Sequence, residues 1–230
     1  MKLSVIVPVY NESKTIGRVL ESVLNQNLVK EVVVVDDGSK DTTLLAVKQI
    51  KNPKIRVFTH AVNRGKGAAI RTGISKAVGD YLIIQDADLE YDPREYSKLA
   101  LKASASVAVY GSRIMGQNQH AYLRTYLGNV LITQFCNLLY GTKLSDSYTC
   151  YKLIPTKVAK LLDLKSCGFE IEAEITGKLA KAGIDIVEVP ISYKPRGYRQ
   201  GKKIKAKDAL KGAITFLRLR FISGWGLQSG

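Results

Sequence analysis

A short apolar run in the first half of the chain ends in three acidic side chains. Residues 83–90 read Ile-Ile-Gln-Asp-Ala-Asp-Leu-Glu, so Asp86 and Asp88 follow directly on a segment typical of a buried strand. In an extended segment, residues two apart face the same way, and paired carboxylates are ligands that Mg²⁺ and Mn²⁺ prefer. The pattern predicts a divalent-metal site. A polar exit from a strand would explain the same residues, so the neighbouring sequence has to decide.

The composition is that of a globular protein with an unusual excess of positive charge. Apolar residues make up 46% and charged residues 24% of the 230 positions, enough for one domain with a substantial core. Lys and Arg number 35 against 20 acids, a formal net charge of +15. Such an excess favours anionic partners: nucleotides, phosphates, nucleic acid or an anionic membrane.

The termini, the apolar segments and the cysteines favour a cytoplasmic location. The sequence begins directly with a strand-like segment after Lys2, without the features of a secretory signal, and no segment reaches the ~18 to 20 apolar residues of a spanning helix. We therefore expect a protein that does not span a membrane by itself. Three scattered cysteines, at positions 136, 150 and 167, are expected to be reduced packing residues.

Four apolar segments alternate with segments of helical spacing in the first half. The first three candidate strands are residues 3–9, 31–35 and 55–58, and the fourth is the run that leads to Asp86. Alternation of this kind predicts a mostly parallel sheet flanked by helices, with ligands along the carboxyl ends of the strands. Four polar or glycine-containing loops are thereby placed along one edge: residues 8–12, 36–39, 63–67 and 86–90.

The second half departs from this alternation but shows no repeat or linker, which favours one domain. The final segment, 205–222, is both apolar and basic, so it could lie on an anionic bilayer or dock its apolar stripe on the domain. The strand predicted at 184–193 contains Pro190 and is therefore expected to be an edge strand or to contain a bulge. The remaining predicted elements are helices at 93–101, 121–140, 155–162 and 170–182, a strand at 106–113 that ends in Arg113, and a basic loop at 194–203.

The predicted edge suits a nucleotide diphosphate. A carboxylate such as Asp36 can accept from the N–H groups of a base, and a metal at Asp88 can neutralise the diphosphate. The cations Arg64, Lys66 and Arg113 can assist. No Walker A sequence is present, and residues 63–67 lack the dinucleotide-binding glycine spacing, so ATPase and NAD-binding interpretations lose support.

Taken together, the motifs resemble those of the metal-dependent family 2 glycosyltransferases with the GT-A fold. Their order and spacing cover nearly the whole chain, and the later motifs are similar to those of the dolichol-phosphate or polyprenyl-phosphate sugar transferases. The matching segments are Pro8-Val9-Tyr10-Asn11-Glu12, Asp36-Asp37-Gly38-Ser39, Asn63-Arg64-Gly65-Lys66-Gly67-Ala68-Ala69, Asp86-Ala87-Asp88, Gly111-Ser112-Arg113, Thr149-Cys150-Tyr151-Lys152, Phe169-Glu170-Ile171-Glu172 and Val189-Pro190-Ile191-Ser192-Tyr193.

The resemblance implies an inverting hexosyltransferase with a Rossmann-like, mostly parallel α/β sheet and a basic amphipathic helix at its C-terminal end. The expected donor is a GDP or UDP sugar, the acceptor a polyprenyl or dolichyl phosphate, and the cofactor Mg²⁺ or Mn²⁺. The implied donor-binding residues are Pro8, Tyr10, Glu12, Asp36, Asp37, Lys66, Asp86, Ala87 and Asp88. The implied metal ligands are Asp86, Asp88 and Glu90, the implied catalytic residues Asp88 and Arg113, and the implied acceptor-phosphate ligands Arg113, Arg124, Arg199 and Lys202.

The resemblance also implies that different parts of the single domain bind different substrates. Residues 1–115 would bind the nucleotide sugar, 116–204 the acceptor, and 205–222 would form the basic helix. Many relatives continue into transmembrane helices, so a peripheral position on the cytoplasmic face of a membrane, or a separate membrane subunit, is implied for this chain.

The chemistry expected for a lipid phosphate acceptor needs no general base. A phosphate monoester, with a second pKa of about 6, is already largely ionised near neutral pH. A hydroxyl acceptor would need a base, for which Glu170, Glu172 and Glu174 are candidates. His60 and His120 are expected to be surface or loop residues outside the predicted edge.

Two interpretations from other classes remain. A basic nucleic-acid binder would use the C-terminal cations, with Tyr193 and Tyr198 stacking on bases, but would leave the acidic edge unexplained. Since the nucleic-acid binder leaves the acidic edge unexplained, we expect no nucleic-acid partner. A nucleotide-sugar sensor without activity is disfavoured by the intact acidic motif.

Overall fold

Seven strands form a single sheet in the computed structural model, which describes residues 1–116, 118, 123–196 and 206–221. The strands are β1 (Leu3–Val9), β2 (Val29–Asp36), β3 (Ile55–Thr59), β4 (Tyr81–Ile84), β5 (Val107–Ser112), β6 (Lys152–Pro155) and β7 (Asp185–Pro190). Their order across the sheet is β3-β2-β1-β4-β6-β5-β7.

Helices connect these strands at the positions that the sequence predicts, with boundaries shifted by a few residues. They are α1 (Ile16–Leu24), α2 (Thr43–Gln49), α3 (Lys66–Lys76), α4 (Tyr96–Ala100), α5 (Leu123–Tyr140), α6 (Thr156–Leu161), α7 (Ile171–Lys181) and α8 (Ala206–Phe221). A short 3-10 helix, Pro93–Glu95, precedes α4. The prediction of an α/β fold with a mostly parallel sheet is confirmed.

The strand order explains why the loops meet at one place. Strand β1 is parallel to both β2 and β4, and the chain moves outward to β3 before it returns to the other side of β1. Ligand sites of open α/β sheets lie at such a reversal of strand order, outside the carboxyl ends of the strands. Strand β6 is antiparallel to β4 and β5, so its amino end reaches the same edge. The edge strand β7, which contains Pro190, is parallel to β5.

The central strands consist of Val and Ile because both of their faces are covered. Val5, Val32 and Ile83 occupy neighbouring positions in the register of β2, β1 and β4, and all are 0% exposed. Burial of each such side chain contributes about 1.5–3 kcal/mol. The sheet is therefore a rigid base from which the loops extend.

Helices α5, α7 and α8 form a second packed group. Phe216 of α8 is fully buried with Cys136 and Ala173, and its carbonyl accepts the hydroxyl of Tyr140 at 2.7 Å. Other apolar residues of α8 stay exposed, so the helix both docks on the domain and presents an apolar surface. The exposed members are Leu210, Ile214, Leu217 and Phe221.

Across the described ranges, none of the helices combines the length and hydropathy needed to cross a bilayer. The cysteines are free as expected: Cys136 and Cys150 are buried, and Cys167 is exposed.

The acidic run after β4 differs from its expected conformation. Strand β4 ends at Ile84, and the following residues turn, with Leu89 in the left-handed region at φ 63°. The expectation of an extended segment was therefore wrong. The positions of Asp86 and Asp88 are set by this turn and by their ion pairs rather than by strand alternation.

Candidate active site

The loops at the carboxyl edge of the sheet surround a cavity of about 1160 Å³. Within the described part of the chain, every predicted site residue except Asp36 lines it. These residues are Pro8, Tyr10, Glu12, Asp37, Lys66, Asp86, Ala87, Asp88, Glu90, Arg113 and Arg124. Arg199 and Lys202 lie outside the described residues.

Asp86 is the first member of a line of alternating charges that runs from the cavity into the core. Its Oδ1 lies 2.8 Å from Nζ of Lys66, which is also 3.3 Å from Oε1 of Glu172. Oε2 of Glu172 lies 2.5 Å from Nζ of the fully buried Lys152. Burial opposes ionisation of Asp86, but the Lys66 ammonium holds its pKa below the ordinary value. Asp86 is therefore an ionised acid with a fixed partner.

Two of the three glutamates considered as bases, Glu172 and Glu174, are held in ion pairs with lysines. Glu172 is 3% exposed, and its oxygens face Lys66 and Lys152. Glu174 pairs with Lys178 at 2.8 Å, and neither it nor Glu170 belongs to the described lining of the cavity. These contacts disfavour a hydroxyl acceptor activated by one of these residues.

Asp88, Glu12 and Glu90 all contact Arg196. Nη2 of Arg196 lies 2.7 Å from Oδ2 of Asp88, and Nη1 lies 3.3 Å from each oxygen of Glu12. The backbone N–H of Arg196 donates to Oε1 of Glu90 at 2.7 Å. Burial, with Asp86 and Glu90 nearby, raises the pKa of Asp88 to about 7 despite the guanidinium. Crowded carboxylates of this kind favour a cation.

The donor chemistry suits a hard divalent ion, because carboxylate oxygens are what Mg²⁺ and Mn²⁺ bind. In the part of the chain that the structure describes, no three His, Cys, Asp or Glu side chains are arranged as a metal-binding group. The assignment of Asp86, Asp88 and Glu90 as metal ligands stays a prediction, and it requires Asp88 to exchange its guanidinium partner.

Arg113 is oriented by an acid that the sequence analysis did not single out. Its Nε and Nη2 donate to the two oxygens of Asp146 at 2.7 and 2.8 Å, and Asp146 is fully buried. The guanidinium also lies 5.3 Å from the ring centroid of Tyr193. Asp146 lies in a segment without a periodic pattern, so the sequence gave no signal of this pairing. Arg113 is thus held at the cavity wall in one orientation.

Asp37 organises the loop that follows β3. It accepts the backbone N–H groups of Arg64 at 2.9 Å and Gly65 at 2.7 Å, and it lies 2.6 Å from Nδ1 of His60. His60 is a loop residue, as expected, but its side chain is largely buried against Asp37. Pairing of β2 with β3 brings the ends of both strands together and so places His60 against Asp37. His120 lies outside the described residues.

Asp36 is buried behind the lining, at 3% exposure. Its Oδ2 accepts the N–H of Ser39 at 3.3 Å, while Oδ1 has no hydrogen-bond partner among the described residues. A buried acceptor of this kind suits an N–H group of a ligand. The role of Asp36 in binding the base stays a prediction.

Gln85 anchors the start of the acidic turn and was also missed. Its Oε1 accepts the hydroxyls of Tyr151 at 2.6 Å and Tyr96 at 2.7 Å, and all three residues are buried. The residue could have been noticed as the uncharged polar position between the apolar run and the first acid. It fixes the point from which Asp86 and Asp88 project.

The opposite wall of the cavity is apolar. Leu123, Leu127 and Leu131 of α5 line it at intervals of four residues, and each is exposed. Arg124 lies beside them and is also exposed. The cavity is therefore charged at the sheet edge and hydrophobic along α5.

The fold defines the class of protein. A structure of glucosyl-3-phosphoglycerate synthase from Mycobacterium tuberculosis, in complex with Mn²⁺, uridine-diphosphate and phosphoglyceric acid, matches with a TM-score of 0.71 at 20% identity. The match covers 96% of this chain and 79% of that one. The architecture is that of the GT-A glycosyltransferases.

The sequence defines the family. The profile of Glycosyl transferase family 2 matches residues 4–162. The chain belongs to glycosyl transferase family 2.

Curated relatives include several sugar transferases. Dolichol-phosphate mannosyltransferase of Pyrococcus furiosus is 28% identical over 232 residues, 96% of this chain. Low-salt glycan biosynthesis hexosyltransferase Agl6 of Haloferax volcanii is 29% identical over 202 residues, 84% of this chain. This chain spans 63% and 48% of their respective lengths. Dolichyl-phosphate beta-glucosyltransferase of Mus musculus is 28% identical over 263 residues, with 99% of this chain and 78% of the relative covered.

Proposed function

We propose that this chain is an inverting glycosyltransferase that moves a hexose from a nucleotide-diphosphate sugar to a polyprenyl or dolichyl phosphate. The observation that carries the proposal is the two-sided cavity, with ionised groups at the sheet edge and the leucines of α5 along the other wall. A phosphate on an apolar chain has the same two-sided character. Relatives named for mannosyl and glucosyl transfer support donors of the GDP-mannose and UDP-glucose types.

The two halves of the cavity would bind the two substrates. The loops of residues 1–115 would hold the donor, with Pro8, Tyr10, Glu12 and Asp36 on the base and ribose side. Residues 116–204, together with Arg113 at the end of β5, would hold the acceptor, with Arg113 and Arg124 on its phosphate. Arg199 and Lys202 are further predicted phosphate ligands. Asp37 and Lys66 would act by fixing the loop and Asp86, which their contacts support.

Asp86, Asp88 and Glu90 would hold Mg²⁺ or Mn²⁺, which supplies positive charge to the departing diphosphate. Two structures of a structural neighbour contain UDP together with Mn²⁺ or Mg²⁺, which supports this cofactor. An oxygen of the acceptor phosphate attacks the anomeric carbon as the bond to the nucleotide diphosphate breaks, and the electron pair leaves with the diphosphate. Arg113 and Arg124 would orient that phosphate oxygen.

The acceptor itself removes the need for a base. A lipid monophosphate is largely ionised near neutral pH, since its second pKa is about 6. The engagement of Glu172 with two lysines is consistent with this chemistry.

A lipid acceptor implies work at a membrane surface. We place the protein peripherally on the cytoplasmic face, attached through the basic and apolar helix α8 or through a separate membrane subunit. The exposed Leu210, Ile214, Leu217 and Phe221 of α8 support this position.

A donor panel tests the proposal. UDP and GDP sugars are supplied with Mn²⁺, and transfer to polyprenyl phosphate is measured beside transfer to the unphosphorylated polyprenol. We expect transfer to the phosphate only. Asp88→Ala should lower the rate by about 100-fold or more, because charge stabilisation of the leaving group is lost, whereas Asp185→Ala, at an exposed position of β7, should leave the rate unchanged.

Two results would contradict the proposal. Transfer to the free polyprenol would favour a hydroxyl acceptor. Salt-sensitive binding of oligonucleotides, without metal-dependent binding of UDP or GDP, would favour a nucleic-acid binder.

A further inference from the structure

The contacts of Arg196 differ in kind from those of an ordinary surface arginine. Its side chain is 17% exposed, and its guanidinium faces Asp88 at 2.7 Å, Glu12 at 3.3 Å and Glu90 at 3.8 Å. Asp88 is 108 positions away in sequence and Glu12 is 184. One cation from the C-terminal part of the chain thus joins three acids from two loops at the cavity.

The segment that carries Arg196 is fixed to the acidic turn through Glu90. The carbonyl of Glu90 accepts the N–H of Lys194 at 2.9 Å, and its Oε2 accepts the hydroxyl of Tyr193 at 2.7 Å. Its Oε1 accepts the N–H of Arg196 at 2.7 Å. Residues 193–196 therefore form a strap bound along the acidic turn, and Arg196 is its end.

The strap and a metal ion would compete for the same carboxylate oxygens. Asp88 and Glu90, two of the predicted metal ligands, both bind the strap, while the third, Asp86, pairs with Lys66. A guanidinium at 2.7 Å from Asp88 and a divalent ion at its ligand distance cannot both occupy the space in front of that carboxylate. Both are cations, so either one can satisfy the crowded acids.

We propose that Arg196 is a displaceable internal cation that neutralises Asp88 and Glu12 until a divalent ion takes its place at Asp88. The proposal rests on the metal dependence of the proposed function. Binding of the ion releases the guanidinium, and the end of the strap leaves the acidic turn. The two binding equilibria are linked. Arg196 lowers the affinity of the acids for the metal by the same factor by which the metal lowers their affinity for Arg196.

Metal binding to the full chain tests this competition. Mn²⁺ is titrated calorimetrically, first alone and then with UDP or GDP, into wild type, Arg196→Gln and Arg196→Lys. We expect Arg196→Gln to bind Mn²⁺ at least about fivefold more tightly than wild type, within the usual range of such couplings. Arg196→Lys should lie between them, because an ammonium keeps the charge but loses the two-nitrogen contact to Asp88 and Glu12.

A matched control separates displacement from a general change in charge. Lys194→Gln removes one positive charge from an exposed position of the same strap and leaves Arg196 in place. We expect its Mn²⁺ affinity to stay close to that of wild type. Equal tightening in Lys194→Gln and Arg196→Gln would overturn the proposal, since long-range charge would then explain both.

A second measurement does not depend on affinity. The thermal stability of wild type and Arg196→Gln is compared in EDTA and in saturating Mn²⁺. We expect the variant to be less stable in EDTA, where its acids lack their cation, and the difference to shrink in Mn²⁺. A difference that is the same in both conditions would contradict the displacement.

The remaining outcomes distinguish the two hypotheses. If wild type binds Mn²⁺ and Arg196→Gln binds it equally or more weakly, the internal cation is refuted while the metal-dependent function stands. If neither protein binds Mn²⁺, with or without a nucleotide, the metal dependence fails, and the internal cation fails with it.

Discussion

At the scale of single residues, charge at the cavity is set by pairs rather than by isolated groups. Arg113 has Asp146, Asp86 has Lys66, and Asp88 has Arg196. Each pair joins segments that are distant in the chain. Pairs of this kind fix the direction of a side chain as well as its charge, so the loss of one partner is expected to act on binding and on stability together.

Asp146→Asn tests this coupling at Arg113, the predicted ligand of the acceptor phosphate. The variant removes the charge that holds both donor nitrogens of Arg113. Loss of one partner of a buried pair leaves an uncompensated charge, so we expect about 3 kcal/mol less stability in urea unfolding. In transfer assays the KM for the lipid phosphate should rise more than the KM for the nucleotide sugar.

The exposed Asp163 provides the control for that experiment. It pairs with Lys165 at the surface, where both side chains are more than half exposed. Asp163→Asn should change stability by well under about 1 kcal/mol and leave both KM values unchanged. A similar loss in both variants would show that Asp146 has no special role.

Residue-scale pairing is also where prediction from sequence was weakest. Motif spacing identified Asp86, Asp88 and Arg113, because each follows a recognisable strand. It did not identify Asp146 or Arg196, which lie in segments with no periodic pattern. The partner of a charged residue depends on how distant segments meet, and that information is not contained in local spacing.

At the scale of elements, the loops after the strands are shaped by backbone constraints. Gly38 has φ 71°, and a Cβ there would lie 2.7 Å from the carbonyl carbon of Val62. The loop after β2 therefore passes close to the loop after β3, which places Asp36 and Asp37 beside residues 62–65. Only glycine combines this conformation with so close an approach.

Gly38→Ala should destabilise the protein by more than about 1 kcal/mol, because it adds both backbone strain and a clash. Nucleotide binding should weaken as the loop shifts. Gly17 in α1 is the matched control, since a Cβ there would meet nothing within 4 Å. Gly17→Ala should stabilise the helix by up to about 1 kcal/mol. Denaturant midpoints and nucleotide titrations measure both effects, and loss of stability in Gly17→Ala alone would contradict the argument.

Elements were the most predictable level of this structure. Runs of Val and Ile identify β1, β2 and β4, because central parallel strands are covered on both faces. The acidic turn was less predictable, since a left-handed Leu89 and the anchor at Gln85 have no signature in hydropathy. General rules of chain connection limit the possible strand orders. They do not predict that β6 is inserted antiparallel between β4 and β5.

At the scale of the whole molecule, helices α5 and α8 both contribute residues to the cavity lining and both carry exposed apolar side chains. They pack against each other and against α7, and α5 also lines the cavity. A membrane bound at this face would bring a lipid phosphate directly to the charged end of the site. Net positive charge would add attraction to an anionic surface.

Vesicle sedimentation tests this arrangement. The double variant Ile214→Gln, Leu217→Gln should bind phosphatidylserine vesicles about tenfold or more weakly than wild type, because each side chain loses apolar burial in the membrane. Leu45→Gln with Leu101→Gln, which changes exposed leucines on other elements, should bind as wild type does. Equal weakening in both double variants would argue against α8 as the attachment face.

The line of charges from Asp86 to Lys152 limits which substitutions the protein can accept during evolution. Lys66, Glu172 and Lys152 alternate in charge, and each contacts the next along the line. Replacing one of them would leave its neighbours without an opposite charge. We expect related chains to keep or exchange these residues as a set. A substitution of the buried Lys152 would then alter binding of the proposed donor, although no residue that lines the cavity has changed.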